Sequence, residues 1–68
     1  MTQVQRIIQY MNDFGSISTM EAFTELGITR LASRIHEIRK MGILIETETV
    51  KARNRYDEPV HFNRYRIA

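Results

Sequence analysis

The stretch Ser18–Gly42, STMEAFTELGITRLASRIHEIRKMG, decides the fold of this 68-residue chain. Ser18 and Glu21 have the spacing of a capping box, in which each side chain bonds the other residue's backbone amide, and they predict the start of a helix. Gly27 ends this helix after about two turns, because glycine accepts the left-handed conformation found at helix ends. Thr29 is then the predicted N-cap of the next helix. Two helices therefore meet at a tight turn.

Apolar residues mark the buried side of each of these two helices. In the helix that begins at Ser18 the predicted buried stripe is Ala22, Phe23 and Leu26. Ile28 is expected to enter the core beneath the turn. In the helix that begins at Thr29 the apolar residues Leu31, Ile35 and Ile38 recur at helical spacing. The pattern continues to Met41, and Gly42 stops it, so this helix is predicted over residues 29–41.

The residues before this pair of helices form one more amphipathic segment. The spacing predicts a helix from about residue 2 to residue 14, closed by Gly15. Its apolar stripe consists of Val4, Ile7, Ile8, Met11 and Phe14.

After Gly42 the hydrophobic period changes to that of strands. Residues 43–50 and 60–67 are predicted strands, and residues 51–59 are a polar loop between them. Phe62 does not share a strand face with Tyr65, which requires either a bulge or a partly buried second face. The chain is thus predicted as a single α+β, mainly α, domain over residues 1–68, with three helices followed by a two-stranded β-hairpin.

Charge is distributed unevenly along the chain. The sequence has 10 Lys+Arg against 8 Asp+Glu, for a formal net charge of +2. Residues 1–27 are acidic overall, whereas residues 28–68 are basic, which favours an acidic polymer as partner. There is no cysteine, so disulfides, thiol catalysis and thiolate metal sites are excluded. The longest apolar run, residues 42–45, is too short for a membrane span or a signal peptide.

The order of helix, short helix, tight turn, helix and hairpin is that of a winged helix-turn-helix. Three phrases also resemble a small winged helix-turn-helix DNA-binding family common in phage and prophage genomes. They are SISTMEA over residues 16–22, GITRLASRIHEIRKMGI over residues 27–43 and RYRI over residues 64–67. The resemblance implies sequence-specific binding of double-stranded DNA by a transcriptional regulator or a recombination-directionality factor. It differs from the broader pattern at Ala22 and Gly27, which are five residues apart rather than four.

The helix over residues 29–41 is the expected major-groove element. Arginine suits this role because its guanidinium fork can bind the O6 and N7 atoms of guanine together. Thr29 is expected to bind a phosphate, and Arg34 and Glu37 are close enough in the helix to form an ion pair. The predicted contacts from this helix are Thr29, Arg30, Ser33, Arg34 and Glu37, with His36 at the margin.

The wing, residues 51–58, is expected to bind the DNA backbone or the minor groove. Lys51, Arg53 and Arg55 alternate in sequence, so their side chains can point the same way, and Asn54 can enter the same groove. Arg64 and Arg66 are phosphate candidates of lower rank. The alternative interpretation of the wing is a disordered polar loop whose charges only keep it soluble. The alternative for residues 29–41 is a solvated helix face.

An enzyme is not expected from this chain. His36 and His61 without cysteine do not make a zinc site, and Asp57 and Glu58 lie in a loop too mobile for acid–base catalysis. No metal and no cofactor is predicted. The six aromatic residues are expected to lie mainly in the core rather than to stack on bases.

The competing function is a winged helix that binds a protein, as an antirepressor or adaptor. The acidic first two helices could provide such a surface, or a dimer interface. One domain of this size reads little DNA, so a homodimer or tandem binding on DNA is expected. The expected location is the bacterial host cytoplasm, on the nucleoid, with no membrane contact.

Overall fold

Three helices and three strands follow one another in the computed structural model, which describes all residues from Met1 to Ala68. The elements are α1 (Gln3–Phe14), β1 (Ile17–Ser18), α2 (Thr19–Leu26), α3 (Leu31–Lys40), β2 (Ile45–Arg53) and β3 (Pro59–Ile67). The molecule is elongated, measuring 39 × 22 × 21 Å along its principal axes.

The predicted helix ends of α1 and α2 are confirmed. At the start of α2 the Glu21 amide donates to Ser18 Oγ at 3.1 Å, and the Ser18 amide donates to Glu21 Oε1 at 2.9 Å. Thr2 and Gln5 form a second capping box at the start of α1. Gly27 ends α2 with a left-handed φ of 67°, which glycine adopts without steric cost.

The prediction that Thr29 caps α3 is wrong. Arg30 is the N-cap residue, and no side chain caps this helix. The turn is longer than expected because Ile28, 2% exposed, is drawn into the core and its amide bonds the Ala22 carbonyl at 2.9 Å. The chain has to return from the core before a helix can begin. The helix predicted over residues 29–41 is therefore the shorter α3, Leu31–Lys40.

The predicted two-stranded hairpin is part of a three-stranded antiparallel sheet of order β1-β3-β2. Ile17 pairs with Tyr65, and Ser18 pairs with Arg64. A two-residue strand has no periodicity by which a sequence pattern can reveal it. Burial of Ile17, which is fully inaccessible to solvent, holds β1 against the sheet instead.

The hairpin extends further than predicted toward its tip. Strand β2 begins at Ile45 rather than at residue 43, and the loop predicted over residues 51–59 shrinks to residues 54–58. Pairing runs without interruption from Ile45 with Ile67 to Arg53 with Pro59, so there is no bulge. Phe62 therefore lies on the face opposite Tyr65, where it is 37% exposed.

The core lies where the three helices meet the base of the sheet. Phe14 and Phe23 were expected in it, but both are largely exposed, and Phe14 packs instead on Tyr10 with ring centroids 4.6 Å apart. Tyr65 is the one aromatic residue that is buried, and Tyr10 packs against the core partly buried, so the expectation that the aromatic residues lie mainly in the core is wrong. The buried apolar residues are Ile7, Met11, Ile17, Ala22, Ile28, Leu31, Ile35, Ile38, Ile45 and Tyr65.

Candidate nucleic-acid interface

Helix α3 turns one polar side to solvent. Its core side holds Leu31, Ile35 and Ile38, each at most 1% exposed. At 100° per residue the opposite side carries Ser33, His36, Glu37 and Lys40, all of which are exposed. His36 therefore lies on the polar side rather than at its margin, and Lys40, which was not predicted there, lies beside it. The spacing of both from Ser33 was the signal that could have included them.

The residues that precede α3 are exposed beside this polar side. Arg30, the N-cap of α3, makes no side-chain hydrogen bond or ion pair. Thr29 is likewise exposed, one residue before the cap. Arg30 is therefore a free guanidinium at the positive end of the helix, where an anion is favoured.

Arg34 lies at the margin of α3, next to α1. Its Nη1 donates to Glu37 Oε1 at 2.8 Å, which confirms the predicted pair. Its Nε donates to Gln3 Oε1 at 2.9 Å, a contact that sequence reasoning missed because the two residues are 31 positions apart. The Arg34 side chain is 33% exposed. Of five guanidinium N–H groups, about three remain free to bind something else.

In the structure the wing is the outer part of the β2–β3 hairpin, residues 50–63, and it has two chemically different faces. Lys51 and Arg53 point to one face, with His61 opposite Lys51 on β3. Val50 and Ala52 point to the other face, paired with Phe62 and Val60 respectively. Because successive side chains in a strand alternate in direction, the basic and apolar groups lie on opposite sides of the ribbon.

The wing tip is an ordered turn organised by Asn54. Asn54 Oδ1 accepts from the amides of Tyr56 and Glu58 at 2.9 and 3.0 Å, and Nδ2 donates to Glu58 Oε1. The side chain of Asn54, which was predicted to enter a groove, therefore already makes three hydrogen bonds to two residues of the turn. Arg53 donates to the Asp57 carbonyl at 2.8 Å. Arg55 and Lys51 have no polar side-chain partner in the molecule.

The two arginines near the end of β3 are engaged within the protein. Arg64 donates to Glu21 Oε1 at 2.8 Å and to Ser16 Oγ at 3.1 Å, which ties the start of α2 to the sheet. Arg66 forms an ion pair with Glu48. Both arginines therefore stabilise the sheet from within the protein, and their charges are already paired with carboxylates.

An apolar groove of about 630 Å³ separates α2 from the wing. Met20 and Phe23 are 68% and 57% exposed on the α2 side, and Phe62 is 37% exposed on the wing side. The groove brings the turn before α3 and the wing to two sides of one depression. It is lined by Ser18, Thr19, Met20, Phe23, Ile28, Thr29 and Phe62.

Tyr10 of α1, which does not line the groove, has a shifted pKa. Burial raises the pKa of Tyr10 above its usual value, and the carboxylates of Glu21 and Glu25 raise it further. No three His, Asp or Glu side chains come together as a metal site requires. None of the three helices has the length and apolar character needed to cross a membrane.

One family model matches nearly the whole chain. It is described as a winged helix-turn-helix domain and matches residues 2–68. No curated protein and no solved structure matches the chain.

Proposed function

Because the chain belongs to the winged helix-turn-helix domain family, a class of DNA-binding domains, we propose that it binds double-stranded DNA in a sequence-specific manner. The observation that supports this most directly is the set of basic side chains around α3 and on the wing that have no acidic partner in the molecule. Arg30 and Lys51 represent the two sites. Free cations at both positions suit a polymer that carries phosphate along its whole length.

In this proposal α3 occupies the major groove. Arg30 and Arg34 contact guanine, Ser33 contacts a neighbouring base edge, and Glu37 braces Arg34 or accepts from a cytosine amine. Thr29 contacts a phosphate. His36 and Lys40, on the same exposed side, add two contacts to those expected from the sequence.

The wing contacts the adjacent backbone or minor groove through its basic face. Lys51 and Arg53 point to this face, and Arg55 projects from the tip. Asn54 supports the turn that presents them. About four to six phosphate contacts in total would give a log–log salt slope near −4 to −5.

The biological role we propose is that of a phage or prophage transcriptional regulator or recombination-directionality factor in the bacterial host cytoplasm. A domain of 68 residues has a small DNA-binding surface, and specific regulators reach useful discrimination by combining half-sites. We therefore propose a homodimer or tandem copies on repeated sites.

Selection from random DNA duplexes at moderate salt tests this function. The wild type should enrich a motif, and the Arg30→Ala/Arg34→Ala variant should lose it while retaining weak binding to any duplex. Sedimentation of the complex with the enriched duplex then counts the copies bound. Arg6→Ala, at an exposed position of α1 with no role in the proposed interface, is the control for loss of charge alone.

Two outcomes would count against the proposal. Binding without any enriched motif would reduce it to non-specific DNA binding. No binding to duplex DNA at low salt, by a protein shown to be folded by circular dichroism, would overturn it.

The apolar groove favours a second candidate function, binding of a protein partner. Exposed apolar patches rimmed by polar residues mark interaction sites on small proteins. No carboxylate lines the groove, and Arg30 follows directly after Thr29 at its edge. Charge complementarity therefore favours a segment that combines apolar side chains with acidic ones.

A random-peptide library selected on the wild type, with counter-selection on Phe23→Ser, tests this second function. Peptides rich in apolar and acidic residues should bind the wild type and be lost on Phe23→Ser. Leu44→Ser is the control, because Leu44 is 74% exposed and does not line the groove. Peptides that bind all three proteins equally, or no enrichment, would remove this candidate.

A further inference from the structure

We propose that Gln3 of α1 is a positioning residue for base recognition, because it fixes the orientation in which Arg34 meets the DNA. The inference rests on the proposed function, that α3 reads a DNA sequence. It adds a residue far from the helix-turn-helix in sequence. Its basis is the pair of hydrogen bonds that hold the Arg34 guanidinium between α1 and Glu37.

The guanidinium is held from two directions. Gln3 Oε1 accepts from Nε at 2.9 Å, and Glu37 Oε1 accepts from Nη1 at 2.8 Å. Two bonds to different atoms of a planar group restrict its rotation, whereas a single bond leaves the plane free to turn. Glu37 alone, one helical turn away on α3, would leave Arg34 with that freedom.

The backbone of Gln3 is itself fixed in place. Gln3 is the first residue of α1, directly after the Thr2 N-cap, whose capping box with Gln5 is closed in both directions at 2.8 and 3.1 Å. Thr2, Gln3 and Val4 face Arg34 and Glu37 across a small recess of about 250 Å³. The start of α1 therefore forms one wall of the surface on which Arg34 lies.

The contribution of these contacts to folding is small. Arg34 and Glu37 are 33% and 50% exposed, and ion pairs in solvent stabilise proteins little. The contribution to binding is different, because a long side chain that is already ordered loses less rotamer freedom when it engages a base. Loss of this preorganisation corresponds to about a 2- to 10-fold weaker contact.

The experiment uses the duplex enriched by the wild type, with each guanine replaced in turn by 7-deazaguanine, which lacks the N7 acceptor. The guanine whose replacement weakens the wild type but not Arg34→Ala is the one that Arg34 contacts. Gln3→Met, which removes the acceptor at similar length, should reduce discrimination at that guanine about 2- to 10-fold. Affinity for unrelated duplex DNA should stay unchanged.

Three further variants separate positioning from a general effect. Gln3→Glu keeps an oxygen that accepts from Nε and should retain the discrimination. Gln9→Met makes the same substitution at an exposed position of α1 without an Arg34 contact and should behave as the wild type. Gln3→Met should have no effect when added to Arg34→Ala, and its thermal midpoint should match the wild type.

Several results would overturn the inference. They are unchanged discrimination in Gln3→Met, an equal loss in the Arg34→Ala background, and stronger binding by Gln3→Met. The last would mean that the contact holds Arg34 away from DNA. Failure of the proposed function itself is a separate result, since the wild type would then enrich no duplex at all.

Discussion

Helix α3 and the wing both present basic residues, but they are held in very different ways. Helix α3 is anchored along its whole length by Leu31, Ile35 and Ile38, each at most 1% exposed. In contrast, residues 51–63 of the wing include no buried or half-buried residue. The wing relies on its ladder of backbone hydrogen bonds and on the turn at Asn54.

This contrast suits two different tasks. Reading bases needs side chains held in place, because hydrogen-bond geometry decides between base pairs. Contact with phosphates needs positive charge within reach and tolerates movement, because it carries no sequence information directly. We therefore assign discrimination to α3 and general affinity to the wing.

The largest expected effect concerns anchoring. Leu31→Ala removes a fully buried side chain beneath α3 and should lower the free energy of unfolding by about 2–5 kcal/mol. Val60→Ala, in the wing, should cost less than about 1 kcal/mol because Val60 is already 37% exposed. Urea denaturation followed by circular dichroism measures both. Similar losses would mean that the wing is an integral part of the core.

The next effect separates the two roles in binding. Arg34→Ala should lose about 1–3 kcal/mol of discrimination at one base pair. Lys51→Ala should weaken binding to all duplexes alike and make the salt slope less negative by about 1. Fluorescence anisotropy against matched and mismatched duplexes at several salt concentrations measures both quantities. Equal effects of the two variants on discrimination would contradict the division of roles.

A smaller effect concerns the wing tip. Asn54→Ala removes the acceptor of two backbone amides and should destabilise the turn by about 1 kcal/mol. Asn54→Asp keeps that acceptor and should stay close to the wild type. Amide hydrogen exchange at Tyr56 and Glu58 is the measurement. If protection is equal in both variants, Asn54 does not organise the tip.

The smallest effect concerns pH and lies outside both regions. The pKa of Tyr10 is raised in the folded protein, so folding favours its neutral form. This stabilisation is fully present below the usual tyrosine pKa of about 10 and is lost as the pH rises through the folded pKa. Tyr10→Phe should therefore lose less stability than the wild type on going from pH 9 to pH 11. Identical pH profiles of the unfolding free energy for Tyr10→Phe and the wild type would exclude this link between Tyr10 ionisation and folding. At neutral pH, Tyr10→Phe should leave DNA binding by α3 and the wing unchanged.

Sequence patterns were most reliable where a feature depends on near neighbours in the chain. The Ser18–Glu21 capping box, the Gly15 and Gly27 helix ends and the Arg34–Glu37 pair are all present. Each involves residues within one helical turn, whose geometry follows from local backbone preferences.

Sequence patterns did not predict features that depend on contacts between distant parts of the chain. The Gln3–Arg34 bond and the pairing of Ile17 with Tyr65 join residues that no periodicity connects. Phe23 follows helical spacing but is 57% exposed, because α2 packs through Ala22 and leaves one flank toward the open groove. Hydrophobicity indicates which side chains gain from burial, but the packing of neighbouring elements determines which of them are covered.

By itself the sequence determined the number of helices, the position of the turn between α2 and α3, the hairpin and the core side of α3, because these follow from local propensity and spacing. Only the tertiary structure decided which basic residues remain free. Arg64 is bound by Glu21 across the sheet, whereas Lys51 projects on a ribbon with no acidic neighbour in contact. The same charge becomes a brace in one place and a candidate DNA contact in the other, since Coulomb attraction depends on which groups the fold brings together.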